Sequence, residues 1–234
     1  MSSAATQRPH FLFLHGWGQS VQVWHQQNKH FSPLSRVHLV NLPGHGGAID
    51  MPEQQWLEQL SPIIQYHASQ QPVVLVGWSL GGQLALALQQ QLQHQLAGLV
   101  LVSTTPCFRQ QEDWQWGCDE EVWQKFTLAA EQQNPKLMQR FFQMMLHGDK
   151  LTPREVQHLA KGAINKSTPP SSLALNTGLS FLSKFDFRHN LQDIELPTLI
   201  IHGQQDVIVP VQAGQFLAAH MPHAEIHIFE DCGH

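Results

Sequence analysis

Short apolar-rich runs punctuate this chain at 10–14, 37–41, 73–76, 99–102, 196–203 and 225–229. Those at 73–76 and 99–102 are unbroken, the pattern of strands buried on both faces of a parallel sheet. Between them lie stretches with helical spacing, at 21–31, 53–69, 83–90 and 211–220. The 53–69 stretch places Trp56, Leu57, Leu60, Ile63 and Ile64 on one side and is expected to break or restart at Pro62. After residue 106 the alternation of strand and helix stops for about eighty residues. Only helical segments are expected there, at 120–131, 135–146, 153–164 and 171–183. The pattern predicts an α/β fold: a mostly parallel sheet flanked by helices, with a helical cap insertion. The core takes residues 1–106 and 189–234, and the cap takes 107–188. No internal repeat is visible.

One junction is more specific than the rest. The run Val73-Val74-Leu75-Val76 leads into Gly77-Trp78-Ser79-Leu80-Gly81, which fits G-x-S-x-G, and then into strong helix formers from Gln83 onward. Strand, G-x-S-x-G and helix in that order form a nucleophile elbow. The turn is so sharp that side chains at Gly77 and Gly81 would strike neighbouring backbone. Ser79 is expected at its tip in a strained conformation, at the positive end of a helix. The bland alternative, a glycine-rich turn with a bystander serine, does not account for both flanks.

Composition narrows the setting. The chain has 234 residues, 42% of them hydrophobic and only 13% charged, enough for one full α/β core. The net charge of −5 argues against general nucleic-acid binding. Three cysteines (Cys107, Cys118, Cys232) are odd in number and lack metal-site spacing, which suits reduced thiols in a cytoplasmic protein. Sixteen histidines make any single one weak evidence, and no metal site is expected. The polar start of the chain, through Pro9, has neither the form of a signal peptide nor the length of a membrane span.

A nucleophilic serine needs a base, and the base needs a carboxylate to orient it. Asp206 follows the apolar run that ends at Gly203, and His234 follows the run that ends at Phe229. Both are therefore expected at carboxyl ends of strands, the edge that also carries Ser79 and where open α/β sheets place their sites. Asp231 is a weaker rival for the acid, being too close to His234 in sequence to approach it from the far side. The tetrahedral oxyanion needs two backbone donors. Leu80, after the nucleophile, is one, and Trp17, in His15-Gly16-Trp17-Gly18 after the first strand, is the other.

These motifs resemble the α/β-hydrolase superfamily along nearly the whole chain. His15-Gly16-Trp17-Gly18, Gly77-Trp78-Ser79-Leu80-Gly81-Gly82, and Ser103-Thr104-Thr105-Pro106-Cys107-Phe108 with Trp114 are similar to the pimeloyl-[acyl-carrier protein] methyl ester esterases of biotin synthesis. The third motif, at the opening of the cap, is the most specific. The resemblance implies a cofactor-free serine esterase acting on the methyl ester of pimeloyl-acyl carrier protein. Ser79, Asp206 and His234 would be its triad, and Trp17 and Leu80 its oxyanion hole. Phe141 would be a cap residue lining the acyl channel. It also implies docking of an acyl carrier protein on basic cap residues: Lys136 and Arg140 match well, Arg154 and Lys161 less closely. A cytoplasmic monomer without metal is expected. Asn41 stands where the family has an aspartate, a change expected to affect local hydrogen bonding. The family continues past the histidine with an apolar segment and a helix and begins with further strands, so a shortened gene product or fragment is expected. Two other readings remain open: a general short-chain esterase or related hydrolase or lyase of the same fold, and a non-catalytic hydrolase-fold binding protein.

Overall fold

The computed structural model describes residues 8–134, 136–164 and 167–234. Pro135, where the second helix of the expected cap was to begin, and residues 165–166 lie outside the described residues, as does the N-terminal stretch 1–7. The six apolar runs form strands β1 (His10–Leu14), β2 (Val37–Val40), β3 (Val73–Trp78), β4 (Leu96–Val102), β5 (Thr198–Gly203) and β6 (Ala224–Phe229). They make one sheet in the order β2-β1-β3-β4-β5-β6, with every pairing parallel. The connections are helical, as parallel neighbours require. The helices are α1 (His25–Phe31), α2 (Gln54–Ala68), α3 (Leu80–Leu92), α4 (Glu120–Glu131), α5 (Leu137–Met145), α6 (Pro153–Ala163), α7 (Ser172–Lys184) and α8 (Val211–His220).

Four details differ from the expected elements. The 21–31 stretch opens as a 3₁₀ turn at Val21–Trp24 and becomes α-helical only from His25. Pro62 neither breaks nor restarts α2, which runs unbroken across it. The proline removes one amide donor, but Trp56, Leu60 and Ile64 bury one face of the helix on both sides of it. That burial, with the Trp56 ring 5.3 Å from that of Phe181 on α7, holds the helix together. Strand β4 begins at Leu96, three residues before its apolar run. Leu96 pairs with Val73 and Gly98 with Val74 across a local irregularity that leaves Ala97 without a partner, so the ladder reaches Leu96 despite the weak strand preference of Ala97 and Gly98. Strand β5 begins at Thr198, after Pro197, which has no N–H to give to a ladder.

Helix α3 is buried along almost its whole length, because it lies between the sheet and α7. The segment between β4 and β5 carries α4 to α7, each with its own local reason to form. Asp119 caps α4, accepting from Glu121 and Val122 N–H at 2.8 and 3.3 Å. Thr152 and Glu155 form a reciprocal capping box on α6, and Ser171 caps α7 through Ala174 N–H at 2.9 Å. The 103–114 motif acquires a structural account here. Thr105 Oγ1 donates to Cys107 O at 2.7 Å, and Trp114 Nε1 donates to the same carbonyl at 2.9 Å. Trp114 then packs against Phe216 of α8, so the turn that leaves the sheet is pinned to the core.

Candidate active site

The site is built on the carboxyl edge of the sheet. Ser79 leaves β3 with φ 54° and ψ −115°, a left-handed conformation that a side-chain-bearing residue adopts only under tight constraint. Ser79 N–H donates to Val102 O of β4 at 2.9 Å, and Ser79 O accepts from Gly82 and Gln83 N–H at 2.9 and 3.1 Å. The elbow is thus clamped by the neighbouring strand and by the first turn of α3. A Cβ on Gly77 would strike Gly81 O, and one on Gly81 would strike Leu14 O. Both glycines are therefore required by close backbone approach.

Asp206 and His234 come together as expected. His234 Nδ1–H donates to Asp206 Oδ2 at 2.7 Å, with both side chains fully enclosed. Asp206 Oδ1 accepts from the N–H groups of Ile208 and Val209 at 2.9 and 2.8 Å, which fixes the carboxylate plane. Burial pushes this carboxyl up. The charge of His234 and the hydrogen bonds from His202, His234 and Val209 outweigh it and hold the group well below the usual carboxylate range. His234 Nε2 is enclosed and takes no hydrogen-bond partner among the described residues. Asp231 does not contact His234 through an ion pair; it pairs with Lys150 at 2.9 Å.

The N–H groups of Trp17 and Leu80, the expected oxyanion donors, take no main-chain acceptor among the described residues. The Trp17 ring is buried. Its Nε1 donates to Leu175 O at 2.9 Å, and the ring packs on Phe126 and edge-on against Phe141, at 4.9 and 5.2 Å. Phe141 of α5 thus contacts Trp17 through its ring. Asn41 bonds locally: its Oδ1 accepts from Val21 N–H at 2.9 Å and its Nδ2 donates to Gly46 O at 3.2 Å.

Several supporting residues have no signature in the sequence. His15 is fully buried. Leu42 N–H donates to its Nε2 at 3.0 Å, which leaves Nδ1–H to donate to Gly16 O at 2.8 Å. One neutral tautomer thereby ties the Trp17 loop to the loop after β2. Burial and the neighbouring His45 push the His15 pKa down to about 3. His202 stands behind the acid, with Nε2 2.8 Å from Val209 O and 3.5 Å from Asp206 Oδ2. The His234 loop hangs on the helical segment: His234 N–H donates to Met145 O at 2.8 Å, and Gly233 N–H to Asp149 Oδ1 at 2.5 Å. A cavity of about 560 Å³ adjoins His234 and Trp78, walled by Phe142, Met145, Leu159 and Lys161. It does not reach Ser79, Trp17 or Phe141, so it is a space beside the base and separate from the Phe141 side.

All four basic residues expected to dock a partner are exposed. Lys136 caps α5 and Arg140 lies on it, while Arg154 and Lys161 lie on α6. None of the four makes an ion pair among the described residues. No helix among the described residues is long and apolar enough to cross a membrane.

Comparison with known proteins places this geometry. Residues 9–234 match the family described as alpha/beta hydrolase fold. The chain is 34% identical over 228 residues to a pimeloyl-[acyl-carrier protein] methyl ester esterase of Nitrosomonas europaea, covering 97% of this chain and 88% of that one. A protein of the same name from Aromatoleum aromaticum is 33% identical, with 97% and 91% covered. Among solved structures, an esterase from Exiguobacterium antarcticum superposes with a TM-score of 0.85 at 20% identity, over 97% of this chain and 85% of that one, a likeness of fold. With its six parallel strands, its serine elbow and this similarity along nearly its whole length, the chain belongs to the α/β-hydrolase fold family and, within it, to the family of pimeloyl-[acyl-carrier protein] methyl ester esterases.

Proposed function

We propose that this carboxylic ester hydrolase cleaves the methyl ester of pimeloyl-acyl carrier protein to the free carboxylate and methanol. The observation that carries the reading is the 2.7 Å Asp206–His234 bond on the strand edge that also presents Ser79, together with the name its relatives share. Ser79 Oγ attacks the ester carbonyl while His234 Nε2 takes its proton. Asp206 stabilises the imidazolium through Nδ1–H. The oxyanion accepts hydrogen bonds from Trp17 and Leu80 N–H. Collapse of the intermediate breaks the bond to methoxide, which leaves as methanol with the proton from His234. Water, deprotonated by the same histidine, then attacks the acyl-serine and releases the acid. No step needs a cofactor.

In this reading residues 107–188 act as a cap over a core of 1–106 and 189–234, with Phe141 lining the acyl path. Lys136, Arg140, Arg154 and Lys161 receive the carrier, whose acidic surface suits exposed, unpaired cations. The protein works as a monomer in the cytoplasm, where its three free thiols stay reduced. The test is to incubate the protein with the carrier-bound methyl ester and follow methanol and the carrier's mass. The expected result is methanol release with loss of one CH₂ unit from the acyl chain. Labelling of Ser79 by a fluorophosphonate without any turnover of this ester would leave a serine hydrolase with a different substrate.

A further inference from the structure

At the opposite, amino end of the sheet three histidines from separate elements converge. His10 opens β1, His38 is the second residue of β2, and His67 lies in the last turn of α2. Register explains the meeting. His38 pairs with Leu12, and His10, two residues earlier on β1, shares the face of Leu12 and sits diagonal to His38. The His38 and His67 rings stack at 3.6 Å, and His10 lies 5.1 and 6.2 Å from them. One ring nitrogen from each of the three lies within 4.8 Å of the other two.

Packing alone leaves this cluster poorly accounted for. His10 is only 3% exposed. His10 Nδ1 and His38 Nε2 are enclosed and take no hydrogen-bond partner among the described residues. Buried polar atoms without partners are costly, and two in one cluster point to a missing ligand. Burial, with repulsion from the neighbouring histidines and Arg36, holds the His38 pKa down to about 4 and lowers that of His10, and burial alone lowers that of His67. The rings are therefore neutral at pH 7, the form that ligates metal.

We propose that His10, His38 and His67 form a binding site for a borderline divalent transition metal such as zinc, on the far side of the sheet from the catalytic edge. Three imidazoles with no carboxylate select zinc, cobalt or nickel over the oxygen-seeking magnesium and calcium. Zinc–nitrogen bonds of about 2.0–2.1 Å set nitrogens roughly 3.4 Å apart in a tetrahedral site, so modest side-chain rotation closes the present spacing. Arg36 opposes a cation, which moderates the affinity. A bound ion would tie the edge strand β2 to β1 and to the end of α2, with water completing its shell.

Cobalt supplies a direct test. Titrating the full chain with Co²⁺ is expected to give a saturable visible absorption at one equivalent, displaced by Zn²⁺ and untouched by Mg²⁺. At hundredfold excess over Kd, zinc should raise Tm by about 5–10 °C. His67→Asn, at a half-buried helix end, is expected to lose the absorption and the Tm rise while turnover of a small ester stays unchanged. His94→Asn and His189→Asn, at exposed positions away from the cluster, should keep both. Absence of one-equivalent binding by the unmodified chain overturns the site without any variant. Equal cobalt binding by folded His67→Asn overturns it as well.

Discussion

At the scale of single residues, most of the site's chemistry follows from where polar groups lose water. Replacing Ser79 by alanine removes the nucleophile but leaves the clamp on its backbone, whose partners are all main-chain groups. Ester hydrolysis is expected to fall by about 10⁶ with the melting temperature nearly unchanged, checked by initial rates and a thermal melt. His15 and His45 carry a second expectation. Burial holds the His45 pKa at about 4, against weaker hydrogen bonds and Asp50 acting upward, and His15 lies at about 3. Unfolded, each titrates near 6.5. Below that pH the unfolded chain gains protons that the fold refuses, so this stability is complete above about pH 6.5 and is lost as pH falls toward the folded values. At up to about 1.4 kcal/mol per pH unit for each histidine, these two should together lower the unfolding free energy by about 3 kcal/mol between pH 6.5 and pH 5. Urea titrations at the two pH values measure it, and His45→Gln should remove about half of the slope. The strained turn at Ser79 and the Asp206–His234 contact were readable because each of these residues lies just past an apolar-rich run. His15's role was not, because its partner Leu42 N–H is met only when β1 and β2 pair.

Elements show which local rules prevailed. Apolar-rich runs located all six strands, the last of them alternating rather than continuous, and capping residues such as Asp119 and Thr152 mark helix starts that sequence spacing also found. Where local preference and packing disagreed, packing decided: α2 crosses Pro62, and β4 reaches back to Leu96 because β3 pairs with Leu96 and Gly98. The elbow is the one place where local strain is kept rather than relieved. A methyl group at Gly81 meets main-chain oxygen, which cannot rotate aside. Gly81→Ala should therefore destabilise by more than about 3 kcal/mol, or yield no folded protein, as judged by denaturant unfolding. The join between α5 and the His234 loop gives a milder test. Asp149→Ala removes the acceptor for Gly233 N–H and lets the base drift. A fall in kcat of about 10–100-fold with KM little changed is expected from steady-state kinetics, since a 1 Å error in placement has costs of that order.

Across the whole molecule, charge and connectivity matter more than any one contact. The chain is acidic at −5, yet Lys136, Arg140, Arg154 and Lys161 stand exposed within two neighbouring helices. Arg140→Glu with Arg154→Glu should lower kcat/KM for a carrier-bound ester at low ionic strength. The deficit should shrink as salt screens it, and a small free ester should react at the unmutated rate. Equal losses on both substrates would assign these charges to the helices' own stability. The charge cluster could be read from sequence, whereas the union of Asp149 with Gly233 could not, because the whole of β5 to β6 lies between them. That union has a mechanical consequence. The carbonyl of Met145 and the carboxylate of Asp149 hold the backbone of the His234 loop, while Phe141, on the same helix as Met145, presses on the Trp17 ring. In the proposed reaction one helix therefore braces the base and an oxyanion donor together, and a shift of α5 would move both.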